Sequence, residues 1–348
     1  MRFAVTGAGG FIGHHLVKEL KRRGHWVRGV DIKRPEFESS PADEFVLLDL
    51  RIADNARKAL AGGAGEAGGA GEVGARASGH CPVAATGGIE RVFHCAANMG
   101  GIGFIEKYKA VIVRDNTLID VNTIEAARAE GVKRLLYTSS ACIYPGYKQD
   151  RADVTPLKES DAYPADAEDG YGWEKLYTER LCRHYREDFG LDTRVVRFHN
   201  IFGPRGTYDG GREKAPAAIC RKVALTPDGG DIEVWGDGEQ TRSFCYIDDC
   251  VEGLLRLMDS GFVDPLNLGQ DRLISINELV RMVCSIAGKP LTIRHELARP
   301  LGVRGRNSDN SLVRKILDWE PRVSLEEGLA ITYNWIKGEL AKKGQLRA

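Results

Sequence analysis

The chain has 348 residues, 43% of them apolar, and its 49 basic and 49 acidic side chains leave no net charge. That size suits one large domain or two smaller ones, and the charge balance removes any global electrostatic case for nucleic acid or an anionic membrane. No apolar run approaches the ~20 residues of a bilayer span, and eight cysteines without a CxxC pair read as reduced thiols of a cytoplasmic protein. Residues 2–5 enter a strand at once, so no signal or transit peptide is expected.

In chain order, residues 3–6 predict a strand running into Gly7, Gly10 and Gly13, with an amphipathic helix following to about Arg23. Glycines there let the backbone turn tightly and approach a pyrophosphate, which then rests on the helix N-terminus beside Phe11 and Ile12. A second strand over 26–31 ends in Asp31, placed to accept the adenosine ribose hydroxyls and so favouring NAD over NADP. Lys33 and Arg34 are the alternative, able to receive a 2′-phosphate. A third strand over 44–49 ends in Asp49 and Leu50. Asp49 either meets the adenine or caps the next helix.

Residues 61–88 are almost all Gly and Ala and cannot bury enough apolar area to offset their ordering entropy. They are expected to form a mobile surface insertion, and the isolated His80-Cys81 pair within it has no partners for a metal, so no metal site is expected. A buried strand over 91–97 then runs into a Gly-rich stretch, 98–103, and a long helix over about 108–130. The fifth strand starts at Arg134 and ends in Ser139, Ser140, Ala141 and Cys142. A helix beginning near Tyr171 carries Lys175 one turn on, and a sixth strand over 193–198 ends in His199 and Asn200. Beyond residue 200 the alternation breaks into a glycine-rich loop, a helix over about 215–223, short strands near 232–235 and 243–247, and helices near 249–258 and 276–287. A basic run, 304–309, precedes two last helices. This pattern predicts an α/β chain: a Rossmann doubly wound parallel sheet over 1–200 that binds the dinucleotide, and a smaller mixed α/β substrate-binding lobe over 201–348.

A nicotinamide cofactor moves a hydride, so the protein must move the proton. Tyr171 is the candidate base. A phenol ionises near pH ~10, and Lys175, at i+4 on the same helix face, favours the phenolate. Ser140 would hydrogen-bond the same substrate oxygen.

Gly7, Gly10, Gly13, Ser140, Tyr171 and Lys175 together resemble the extended short-chain dehydrogenase/reductase superfamily. The stretches 96–104, 139–145, 210–218, 236–244 and 302–310 narrow the resemblance to the GDP-mannose 3,5-epimerase family, over nearly the whole chain except the insertion. The resemblance implies NAD as cofactor, GDP-mannose as substrate and GDP-hexose products, chiefly GDP-L-galactose, with GDP-L-gulose from inversion at C5 alone. It implies transient oxidation at C4, then inversion by Cys142 and Lys214 as an acid/base pair. It also implies substrate contacts at Gly100, Ser140, Ala141, Cys142, Asn200, Glu213, Lys214, Ala215, Lys222, Gln240, Thr241, Arg242 and Arg306, and a homodimer. Arg242, Arg306 and Lys222 suit a pyrophosphate.

Two departures stand out: Cys95 and Asn98 occupy positions where the family carries an apolar residue and an acid. The rival readings are a GDP-4-keto-6-deoxymannose epimerase-reductase, which pairs its cysteine with a histidine, and a non-catalytic NAD-sensing protein, which would not need Tyr171 and Lys175.

Overall fold

The computed structural model describes residues 1–62, 87–299 and 301–346. The expectations for His80, Cys81 and most of the Gly/Ala-rich insertion lie outside the described residues. Six strands alternate with helices: β1 (Arg2–Thr6), α1 (Phe11–Arg22), β2 (Trp26–Asp31), β3 (Glu44–Leu47), α2 (Ala53–Leu60), β4 (Arg91–His94), α3 (Ile102–Lys107), α4 (Lys109–Ala129), β5 (Arg134–Ser140), α5 (Asp169–Phe189) and β6 (Asp192–Phe198). With Leu266–Leu268 they form a seven-stranded parallel sheet in the order Leu266–Leu268, β6, β5, β4, β1, β2, β3. The order reverses between β1 and β4, and such a reversal opens a crevice at the carboxyl ends of the strands.

Both faces of the sheet are covered, and its central strands bury side chains on both sides. Successive side chains alternate between two cores. Val5, Leu136 and Val196 share one core with Leu16 and Val17 of α1. Ala4, Leu135 and Val195 share the other with Ile124 of α4 and Cys182 of α5.

After residue 200 the chain leaves the sheet and returns to it. Helix α6 (Ala215–Leu225) packs with α8 (Ile276–Ala287) and the C-terminal helix Leu325–Lys342 in a separate layer. Helix α7 (Ile247–Asp259), by contrast, lies beside α1, where Arg23 Nη2 donates to Glu252 Oε2 at 2.6 Å. The strand Leu266–Leu268 then pairs with β6, Leu266 opposite Val196. Three residues are too few to show a period, so the sequence analysis counted six strands where the sheet has seven. Helix α8 starts on a reciprocal cap between Ser275 and Glu278, worth roughly 1 kcal/mol, and ends at Gly288 with φ +66°. A small ribbon sets Thr241–Arg242 between Ile274–Ser275 and Gly305–Arg306, with Arg306 directly opposite Arg242.

Candidate active site

The glycines of the first turn are not equivalent. Gly7 has φ +74°, and a Cβ there would lie 2.8 Å from the Cys95 carbonyl and the Ala96 nitrogen, because the end of β4 crosses directly against it. A Cβ on Gly13 would lie 2.2 Å from the Gly7 oxygen, so α1 rests on the turn. A Cβ on Gly10 would meet the Gly7 oxygen at 3.2 Å and nothing nearer. Helix α1 has no side-chain cap, and its first intrahelical bond runs from His14 N to Gly10 O at 3.0 Å. The N–H groups of Phe11, Ile12 and Gly13 are therefore donors at an open helix N-terminus, a fit for a pyrophosphate.

Asp31 is fixed beside this turn: Gly9 N donates to Oδ2 at 2.9 Å and Lys33 N to Oδ1 at 3.1 Å. Burial raises its pKa, and those two N–H groups pull it back. Arg34 turns onto the Phe45 ring, 5.5 Å from its centroid. Asp49 grips Arg51, whose Nη2 donates to it at 2.6 Å; the N-cap of α2 is Ile52, so Asp49 is not that cap. The Leu50 side chain is in the core, and its carbonyl accepts from Asn122 Nδ2 at 3.0 Å.

At the end of β5 the Ser140 hydroxyl accepts from Cys142 N at 3.2 Å. Helix α5 approaches so closely that a Cβ on Gly172 would lie 2.2 Å from the Cys142 oxygen, which brings Tyr171 over the strand end. Burial pushes the Tyr171 phenol up, while Lys175 and the Ser140 hydroxyl pull it down. Lys175 Nζ lies 5.8 Å from the Tyr171 ring centroid and 3.6 Å from both Asp120 Oδ2 and Glu174 Oε1. Burial disfavours its ammonium, but Asp120 and Glu174 outweigh burial and raise its pKa. Its charge is thus shared among three partners rather than spent on the phenol alone.

Asp120 also accepts from Tyr137 OH at 2.8 Å and Thr178 Oγ1 at 3.1 Å, and pairs with His94 Nε2 at 2.9 Å. Glu174 accepts from Asn116 at Oε1, while its buried Oε2 has no hydrogen-bond partner among the described residues. Burial holds Glu174 above the usual carboxylate range, against the pull of Lys175 and with the push of Asp120.

Cys142 faces a cleft whose other walls carry Lys214 and Arg306. Lys214 occupies the N-cap of α6, with Ala215 opening the helix and Pro216 fixing its first turn. Solvent reaches Lys214 from the cleft, yet protein surrounds it; that loss of bulk water lowers its pKa, partly offset by Cys142. Its place at the positive end of a helix dipole works in the same direction. Burial raises the Cys142 thiol, Glu168 raises it further, and Arg306 opposes both. The Arg242 guanidinium, opposite Arg306 in the ribbon, bonds the carbonyls of Thr241 and Leu301, and burial together with Arg306 brings it down to about 10. Arg306 is paired with the Glu168 carboxylate at 2.6 Å, so Arg242 is the guanidinium of the two left to receive an anion.

The remaining substrate positions fall into two groups. The loop at 98–103 meets the loop at 211–214: Gly101 N donates to Arg212 O at 3.0 Å, placing Gly100 next to Glu213, which accepts from Gly211 N at 2.7 Å. Asn200, with φ +48°, donates to Ser243 O at 2.9 Å. Lys222 and Gln240 converge instead on the edge at 233–235, bonding Glu233 O at 2.9 Å and Trp235 O at 3.0 Å. Thr241 bonds Ala152 O, and Ala141 is buried beneath the strand end. Asn98 ties the two loops to α4: its N–H donates to Asn116 Oδ1 at 2.6 Å, and its Oδ1 accepts from Arg212 at 3.3 Å. Cys95 forms the backbone against which Gly7 turns. The sequence analysis missed Asp120, Glu168 and Gln149, which touch the predicted residues from distant parts of the chain. Only the tertiary fold supplies that signal.

Residues 3–67 and 80–269 match the model of the NAD dependent epimerase/dehydratase family. A GDP-mannose 3,5-epimerase of Arabidopsis thaliana is 49% identical over 345 residues, covering 99% of this chain and 84% of that protein. Among solved structures, the UDP-glucose 4-epimerase of Thermotoga maritima with UDP-glucose matches with a TM-score of 0.81 at 24% identity, over 98% of this chain and 100% of that one. The UDP-glucose 4-epimerase of Thermus thermophilus in complex with NAD matches at 0.78 and 22%, over 97% and 99%. At such identities the structural likeness is one of fold.

Proposed function

The chain belongs to the NAD-dependent epimerase/dehydratase family, and from that premise we infer that it inverts GDP-D-mannose at C3 and C5. The main product is GDP-L-galactose, and GDP-L-gulose is the product of inversion at C5 alone. The observation that carries this reading is the convergence of two sets of groups on one cleft: Ser140, Tyr171 and Lys175 for an alcohol, and Cys142 with Lys214 for carbon acids. A simple 4-epimerase or dehydrogenase has no use for the second set. Lys214, rather than a histidine, as the cation facing Cys142 favours this reading over the epimerase-reductase.

Gly7, Gly10, Phe11, Ile12, Gly13, Asp31, Asp49 and Leu50 would hold NAD, which would supply reversible oxidation at C4 of the sugar. Tyr171 takes the C4 hydroxyl proton while Ser140 holds the same oxygen. With a ketone at C4, the hydrogens on C3 and C5 become acidic because each carbanion delocalises into the carbonyl. Cys142 and Lys214 then work from opposite faces of the ring, one removing a proton and the other delivering one. Burial brings the Lys214 ammonium down toward the range where proton transfer is efficient, whereas the raised Cys142 thiol holds its proton in the resting site. Arg242 holds the diphosphate, Arg306, already paired with Glu168, lies at the Cys142 sulfur, and Tyr171 returns its proton at the end. In this reading residues 1–200 bind the cofactor and most of 201–348 bind the nucleotide sugar.

Among the described residues no helix is long and apolar enough to cross a membrane, which fits a cytoplasmic enzyme. Val111 and Leu118 of α4 and Trp173 and Tyr177 of α5 are exposed, and they fit a homodimer joined through these two helices.

The test is product analysis with purified protein, NAD and GDP-mannose. Galactose and gulose epimers are expected. Cys142→Ala should lower their formation at least ~100-fold while NAD binding, followed by calorimetry, is kept. Absence of both epimers from the wild-type reaction overturns the reading.

A further inference from the structure

Arg306 does not reach into the cleft freely. Its Nε donates to Gln149 Oε1 at 2.6 Å, its Nη2 to Glu168 Oε2 at 2.6 Å, and its Nη1 to the Cys142 sulfur at 3.5 Å. Each edge of the planar guanidinium is engaged, so its position is set by two side-chain anchors from different loops. Glu168 is itself locked to the cysteine, because its backbone N–H donates to Cys142 O at 2.8 Å. Its side chain is largely enclosed, a place where a carboxylate persists only with a partner, and Arg306 is that partner.

We propose that Glu168 is a positioning residue for the inversion chemistry: it clamps Arg306 against the Cys142 sulfur and balances the guanidinium charge there, so that the thiol keeps its proton in the resting enzyme.

The groups facing the sulfur from each surrounding element bear this out. Ser140 comes from β5, Tyr171 from α5, Glu168 from the loop before α5, Lys214 from the start of α6, and Arg242 and Arg306 from the ribbon. Of these, Glu168 is the group that carries a negative charge at neutral pH, and it sits on the arginine nearest the sulfur. Removing its charge leaves Arg306, Arg242 and Lys214 unopposed and favours the thiolate. The bearing on inversion rests on the role proposed above for Cys142, whereas the thiol itself can be read in the free protein.

The experiment is the pH dependence of iodoacetamide alkylation at Cys142, followed by mass spectrometry of its peptide in the full chain without substrate. Glu168→Gln, close to isosteric, should move the alkylation midpoint down by about one pH unit or more. Arg306→Gln should move it up, and Glu168→Asp should stay nearer wild type than Glu168→Gln. Opposite shifts from the two partners of one ion pair are not a result of loosened packing, which would move both variants the same way. Midpoints that do not move, or that move in the same direction, overturn the proposal. If they do so while GDP-mannose is still inverted, the clamp falls and the proposed reaction stands.

Discussion

Lys175 is buried and Lys214 opens onto the cleft, and their ammonium groups are displaced in opposite directions. The difference lies in their neighbours. Lys175 has Asp120 and Glu174 at 3.6 Å. The charges around Lys214 are Arg306 and the helix end it caps, with thiols rather than carboxylates beside it. The lowered pKa of Lys214 has a stability consequence. Below its folded pKa both folded and unfolded chains carry the ammonium, and the folded state bears a desolvation penalty that is partial because solvent reaches the side chain. As pH rises from that value toward the ~10.4 of a free lysine, the unfolded chain binds more protons and the folded state gains stability. Lys214→Met should therefore be more stable than wild type at pH 7, with the gain shrinking toward pH 10, while inversion is lost. Thermal denaturation at pH 7, 8.5 and 10 checks this; a variant less stable than wild type at pH 7 would argue against a strained lysine. At this scale the sequence offered candidate residues but not the partners that hold them. Tyr171 and Lys175 were legible from a four-residue spacing. Asp120 and Glu168 were not, because their partners lie 55 and 138 residues away along the chain.

At the scale of elements, the turn from β1 into α1 was legible because local chemistry dictates it. The three glycines nevertheless answer to different demands: Gly7 to a left-handed φ and to β4, Gly13 to the packing of α1, and Gly10 to whatever approaches the helix end. Gly13→Ala, with its Cβ at 2.2 Å from a backbone oxygen, should displace α1 and lower stability by roughly 1–3 kcal/mol. Gly10→Ala should leave the melting temperature within about 2 °C but weaken NAD at least tenfold. Denaturation and calorimetry on the two variants separate these effects; equal losses of stability would contradict the distinction. The strand Leu266–Leu268 escaped the sequence analysis because its order comes from β6 rather than from its own three residues. The extent of β3 and β4 was overread by two or three residues, because apolar character continues past the point where the neighbouring strand ends.

For the molecule as a whole, Ser140, Cys142 and Tyr171 lie at the carboxyl edge of one sheet, Lys222 and Gln240 bond the separate edge at 233–235, and the Gly/Ala-rich insertion leaves and rejoins the chain elsewhere. Its ends nearly touch: a Cβ on Gly62 would lie 3.2 Å from the Gly88 Cα. They sit by the start of β1, where Glu90 N donates to Arg2 O at 2.9 Å, away from the cleft. Joining Gly62 directly to Gly87 should therefore keep NAD binding and turnover within about twofold, as surface-loop length changes cost little; loss of either would show that the insertion serves the site. The central claim is that Cys142 and Lys214 exchange protons with the sugar carbons beside a transient C4 ketone. It is tested most directly by incubating the enzyme with GDP-mannose in deuterated water and following C3 and C5 by NMR. The wild type should place solvent deuterium at C5 and C3 of the recovered sugars, and Cys142→Ala should not. Epimerised product free of deuterium at both carbons, or full exchange in the Cys142→Ala enzyme, would contradict it.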